Sequence, residues 1–104
     1  MYLPKIYKEF SEKFPEVFKS YQQLGQTCRH AGPLTEKDQN LVKLGISIGA
    51  NSRGAVMSHT RRAIDAGATR GEINHVALLA MTTTGFPNMM AAIGWISEVI
   101  DDET

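Results

Sequence analysis

The sequence predicts an all-α domain of about six helices, and three observations carry that expectation. Strand signals are poor: there is no Asn-Gly or Asp-Gly hairpin turn and no sustained alternation of apolar and polar residues. Two capping-box patterns, Thr35-Glu36-Lys37-Asp38 and Thr69-Arg70-Gly71-Glu72, announce helix starts. Breaks at Ala31-Gly32-Pro33 and Gly85-Phe86-Pro87 separate segments with helical apolar spacing. The 104 residues read as one domain, 1–104, with no internal repeat or linker.

The first helix is expected over about residues 4–13. Pro4 suits a first turn, where its missing N–H is not needed. Pro15 ends that helix, because the residue before a proline is pushed out of the helical region. A second helix follows from Pro15 to about Arg29. Phe10, Phe14, Phe18 and Tyr21 fall at near-helical spacing and read as one aromatic core cluster. Thr35 opens the third helix. Leu41, Leu44 and Ile48 lie on one stripe and Val42 and Ile46 on another, so contact on two sides is expected. Asn51-Ser52 opens the fourth helix, which runs through Val56, His59 and Ala63 to a stop at Gly67. The fifth is read from Ile73 to Thr84, nearly all apolar. The last holds Met89, Met90, Ile93, Ile96, Val99 and Ile100, with Asp101-Asp102-Glu103 fraying into water.

Composition excludes several classes. Eleven Lys and Arg balance eleven Asp and Glu, so there is no general attraction to nucleic acid. No apolar run is long enough for a membrane span. The opening Met1-Tyr2-Leu3-Pro4-Lys5 has no secretory h-region, so a cytoplasmic protein is expected. One cysteine, Cys28, excludes an internal disulfide and a cysteine-rich zinc site. The apolar segment Ile73–Met81 and the broad face of the last helix exceed what a small monomer covers, so a homo-oligomer is expected.

Candidate chemistry centres on His59. It shares a helix stripe with Val56 and Ala63, where partial burial would tune an imidazole as general acid or base, or simply pack it in the core. Arg61 and Arg62 follow it, and one of them could bind an anion. Glu72 and His75 are helical neighbours, readable as an acid–base pair or as a helix-start carboxylate beside a surface histidine. Three scattered histidines without paired-ligand spacing predict no metal, and no cofactor loop is visible.

Several runs together resemble the carboxymuconolactone decarboxylase family, which includes the alkylhydroperoxidase D-like proteins. They are Leu34–Lys37, Leu41–Ala50, Ser58-His59-Thr60-Arg61-Arg62-Ala63, Ala66–Ile73 and Thr84-Gly85-Phe86-Pro87. The resemblance spans about residues 15–100. It implies an all-α fold and a trimer or hexamer. In the peroxidase branch a glutamate precedes Cys-x-x-Cys and a histidine. Those places read Asn40, Ser52, Ala55 and His59, and the branch's second histidine falls on Gly54, so the motif is absent apart from His59. The decarboxylase branch resembles the chain in having a histidine at His59 without the cysteines. The resemblance also implies a carboxylate near position 55 and a histidine near the start of the last helix, where Ala55 and Met89-Met90-Ala91 stand.

The site residues expected are therefore His59 as the catalytic group, with Asn40, Ser52, Ser58, Glu72 and His75 as pocket or supporting residues. Three functions follow as expectations. One is acid–base chemistry on a small unsaturated acid or lactone. The second is a non-catalytic oligomer that binds a ligand or a partner. The third is peroxiredoxin-type peroxide reduction, implied by the family label and dependent here on Cys28.

Overall fold

The computed structural model describes residues 4–103, so the opening Met1 to Leu3 lies outside it. Six helices follow one another: α1 Lys5–Lys13, α2 Pro15–His30, α3 Glu36–Gly49, α4 Arg53–Asp65, α5 Arg70–Ala80 and α6 Phe86–Glu103. No strand occurs among the described residues. The all-α expectation of about six helices holds. The chain divides into two compact units between Pro33 and Leu34.

The first unit is the α1–α2 pair. Phe14 sits outside helical geometry between them, as the residue before Pro15 must. Tyr7, Phe10, Phe14 and Phe18 form an edge-on and tilted aromatic cluster, with centroids 5.4–6.3 Å apart. The expected core role of these rings fails. Neither helix contains a buried residue, and Tyr21, assigned to the cluster from its spacing, is 61% exposed. Tyr7 takes its place against Phe18. Helical spacing gave the stripe but not its partner.

The second unit contains the core. Leu44 and Ile48 of α3, Val56 and Ala63 of α4, Ile73 and Ala77 of α5, and Ala92 and Ile96 of α6 are buried together. Thr35 caps α3 by accepting the Asp38 N–H, and Ser52 caps α4 by accepting the Ala55 N–H. Each satisfies a donor that the helix start leaves open. The box at Thr69 and Glu72 closes in both directions, with the Thr69 N–H donating to Glu72 Oε1 at 2.9 Å and the Glu72 N–H to Thr69 Oγ1 at 3.0 Å.

Gly67 ends α4 with φ at 97°, its N–H bonded to Ile64 O and that of Ala68 to Ala63 O. This double closure is the Schellman pattern, which favours glycine at that place. The fifth helix ends four residues before the expected Thr84. The Thr83, Thr84 and Gly85 amides all turn back onto Ala80 O, and the Thr83 and Thr84 hydroxyls bond to Leu79 O and Ala80 O. Gly85, with φ at 111°, completes the reversal. In contrast, α6 keeps helical backbone through Glu103, where fraying from Asp101 was expected, because nothing in Asp101-Asp102-Glu103 breaks the ladder.

Asn88 fastens the start of α6 to the end of α3. Its Nδ2 donates to Ile48 O at 2.7 Å, and its Oδ1 accepts from Thr84 Oγ1 at 2.6 Å. Among the described residues, the ion pairs Lys37–Glu72 at 3.0 Å and Arg53–Glu98 at 2.9 Å link helices at the surface. Solvent screens ion pairs at such exposed places, so the apolar core dominates the stability of the unit.

Candidate functional site

His59 stands one turn after Ala55 on α4 and one turn before Ala63, with buried Val56 and Thr60 beside it. This position half-buries the ring. Its Nδ1 is enclosed with no hydrogen-bond partner among the described residues. Burial holds the pKa of His59 below its usual value of 6.5, and the positive charges of Arg62 and Lys43 push in the same direction. The imidazole is therefore neutral at pH 7.

Two helices supply this setting. Arg62 follows His59 by three residues, so the two share a face of α4. Lys43 belongs to α3, which packs along α4. Its contribution has no local signal, because sixteen positions separate it from His59. The only trace in sequence is a cation inside the apolar run of α3, between Leu41 and Leu44.

The other expected site residues have more ordinary surroundings. Asn40 Nδ2 donates to Glu36 O one turn back on α3, at 3.0 Å. Ser52 Oγ serves as the cap of α4. Ser58 is partly buried next to His59 on α4. Glu72 is engaged by the Thr69 N–H and by Lys37 Nζ, which together hold its carboxyl below the usual range. His75 is exposed on α5. So Asn40, Ser52, Ser58 and His59 belong to the α3–α4 pair, whereas Glu72 and His75 lie at the start of α5. Cys28 is a free, exposed thiol on α2.

A separate groove of about 340 Å³ opens between α3 and α5. Its lining is apolar apart from Thr83 and Thr84, and it includes none of the expected site residues. Among the described residues, no group of three or more His, Cys, Asp or Glu could hold a metal ion, and no helix is long and apolar enough to cross a membrane.

The sequence model of the carboxymuconolactone decarboxylase family matches residues 15–98. The chain belongs to that family. No curated protein sequence matches it. A crystal structure of the apo form of a carboxymuconolactone decarboxylase family protein from Legionella pneumophila superposes with a TM-score of 0.81 at 21% identity, covering 93% of this chain and 87% of that one. At that identity the likeness speaks for the fold alone. It does not transfer a reaction, because the chemistry depends on single residues such as those at positions 52 and 55.

Proposed function

We propose that this family member carries out acid–base chemistry on a small carboxylate-bearing unsaturated acid or lactone, with His59 as the general base. The supporting observation is the state of the His59 ring: half-buried, Nδ1 enclosed, and protonation disfavoured by burial and by Arg62 and Lys43. A neutral imidazole keeps one ring nitrogen free to accept a proton at pH 7. Because Nδ1 is closed off, Nε2 is the atom that would exchange a proton with a ligand. The same two cations that disfavour imidazolium favour an anion beside it, which is the reason for a carboxylate in the substrate.

The test is a turnover screen over small unsaturated acids and lactones with wild-type protein and His59→Ala. Loss of about 10²–10⁴-fold in kcat is expected for the variant, the usual contribution of one acid–base group. Wild-type activity should hold at neutral pH and fall only below about pH 6.5, as His59 takes up a proton. Full turnover by His59→Ala removes the reading.

A second reading is a non-catalytic member that binds a ligand or a partner. It is favoured by one observation: the groove between α3 and α5 has no ionisable side chain in its lining. Binding without any His59-dependent turnover would decide for it. Peroxide reduction ranks last, since Ser52 and Ala55 supply no thiol and Cys28 stands alone on α2. Peroxide consumption with a dithiol donor, lost in Cys28→Ser, would revive it.

A further inference from the structure

We propose that the groove between α3 and α5 takes a neutral apolar molecule bearing one hydroxyl, a phenol or an aliphatic alcohol, whose O–H donates to Thr83 Oγ1. This rests on the second reading of function only in placing a ligand in that groove, and it names the ligand's chemistry.

The first support is shape. At about 340 Å³ the groove lies within the roughly 300–1,000 Å³ of small-ligand clefts. Gly45 and Gly49, one turn apart on α3, both line it. A Cβ at Gly45 would meet Val76 Cγ1 at 3.6 Å, and one at Gly49 would meet Thr84 Cγ2 at 3.7 Å. Both are ordinary contact distances, and neither glycine has a positive φ. Packing within the chain therefore accepts alanine at both places, and alanine favours a helix more than glycine does. What the glycines keep is depth, an apolar trough beside Leu41 and Val76 that a ring or a short chain fills.

The second support is the polarity of one end. Thr83 and Thr84 are the polar side chains of the lining, and each hydroxyl carries one proton. Thr83 Oγ1 donates to Leu79 O at 2.9 Å, and Thr84 Oγ1 shares its proton between Ala80 O at 3.2 Å and Asn88 Oδ1 at 2.6 Å. The Thr83, Thr84 and Gly85 amides all donate to Ala80 O. These groups therefore offer lone pairs and no free N–H or O–H. Thr83 Oγ1 accepts from nothing among the described residues, so its lone pairs are open to a ligand.

That pattern selects the ligand. A carboxylate brings no proton to donate and would be dehydrated without compensation. An ammonium brings protons, but the lining holds no charge to balance it. A hydroxyl on an apolar body satisfies both ends, the body in the trough and the O–H on Thr83. The preference is opposite to that at His59, where Arg62 and Lys43 favour an anion.

Amide NMR titration of the isotope-labelled full chain tests this at pH 7, where a phenol is un-ionised. The probes are para-butylphenol, butylbenzene and para-butylbenzoate. The phenol should shift the Gly45, Gly49 and Thr83 amides and bind roughly fivefold more tightly than butylbenzene, the ratio one hydrogen bond supplies. The benzoate should leave those amides unmoved. Thr83→Val keeps the side-chain shape without the oxygen, so it should bring phenol and hydrocarbon level. Gly45→Leu fills the trough and should weaken the phenol by about tenfold, with the helical circular dichroism unchanged. Groove amides that the phenol does not shift overturn the proposal, as does equal wild-type affinity for phenol and hydrocarbon. A preference that Thr83→Val retains overturns it too. Turnover that depends on His59 would remove the second reading and leave this site standing, whereas a phenol no better than its hydrocarbon removes the site and leaves both readings of His59 intact.

Discussion

At the scale of single residues, His59 and Glu72 are pulled in the same numerical direction with opposite physical meaning. The folded protein resists protonating His59, so the unfolded chain binds that proton more readily below pH 6.5. The His59 contribution is thus unfavourable on the acid side: stability is full above about 6.5 and falls as the pH drops toward the lowered folded value. Urea unfolding of wild type and His59→Gln at pH 7.5 and 5.5 should show a smaller acid loss in the variant. Glu72 is a carboxylate whose folded pKa is lowered by the Thr69 N–H and Lys37. Its stabilisation is present above its ordinary 4.5 and disappears as the pH falls through the folded value. Glu72→Gln should therefore be less stable than wild type at pH 7 and level with it near pH 2, by the same unfolding measurement. The stripe position of His59 could be read from its spacing to Val56 and Ala63. Its dependence on Lys43 could not, because that effect arises only when two helices pack.

At the scale of elements, the α4–α5 corner concentrates the strongest local signals. Gly67 adopts φ of 97°, which a residue with a Cβ reaches only under strain. Gly67→Ala should cost about 1–3 kcal/mol, measured as a shift in the urea midpoint at constant slope. Thr69→Ala removes the acceptor for the Glu72 N–H and should cost about 1 kcal/mol in the same assay. These features could be read in sequence because caps, prolines and C-terminal glycines act over three or four residues. The end of α5 is not legible in the sequence, because Thr82-Thr83-Thr84 does not look like a stop. Hydroxyls that bond back to Leu79 O and Ala80 O made it one. The outward turn of Leu78, Leu79 and Met81 was equally hidden, since an all-apolar run has no polar face to orient it.

At the scale of the whole molecule, the two units differ in what holds them. Ile73 is fully buried among all four helices of the second unit, and Ile73→Ala should cost about 2–5 kcal/mol by urea unfolding. Neither α1 nor α2 buries any residue, so their amides should exchange faster than those of α3–α6 when the protein is dilute, a contrast that hydrogen-exchange mass spectrometry resolves. Between α3 and α4 only Ala50, Asn51 and Ser52 make the bend, with Asn51 at φ 53°. That brevity acts as a protractor. A helix advances about 100° per residue, so inserting one residue there would spin α4 by more than a quarter turn against α3 or force the corner to bulge. Where the corner does not bulge, the imidazole would swing away from Lys43, and a site assembled from two rods would be lost with every side chain still in place.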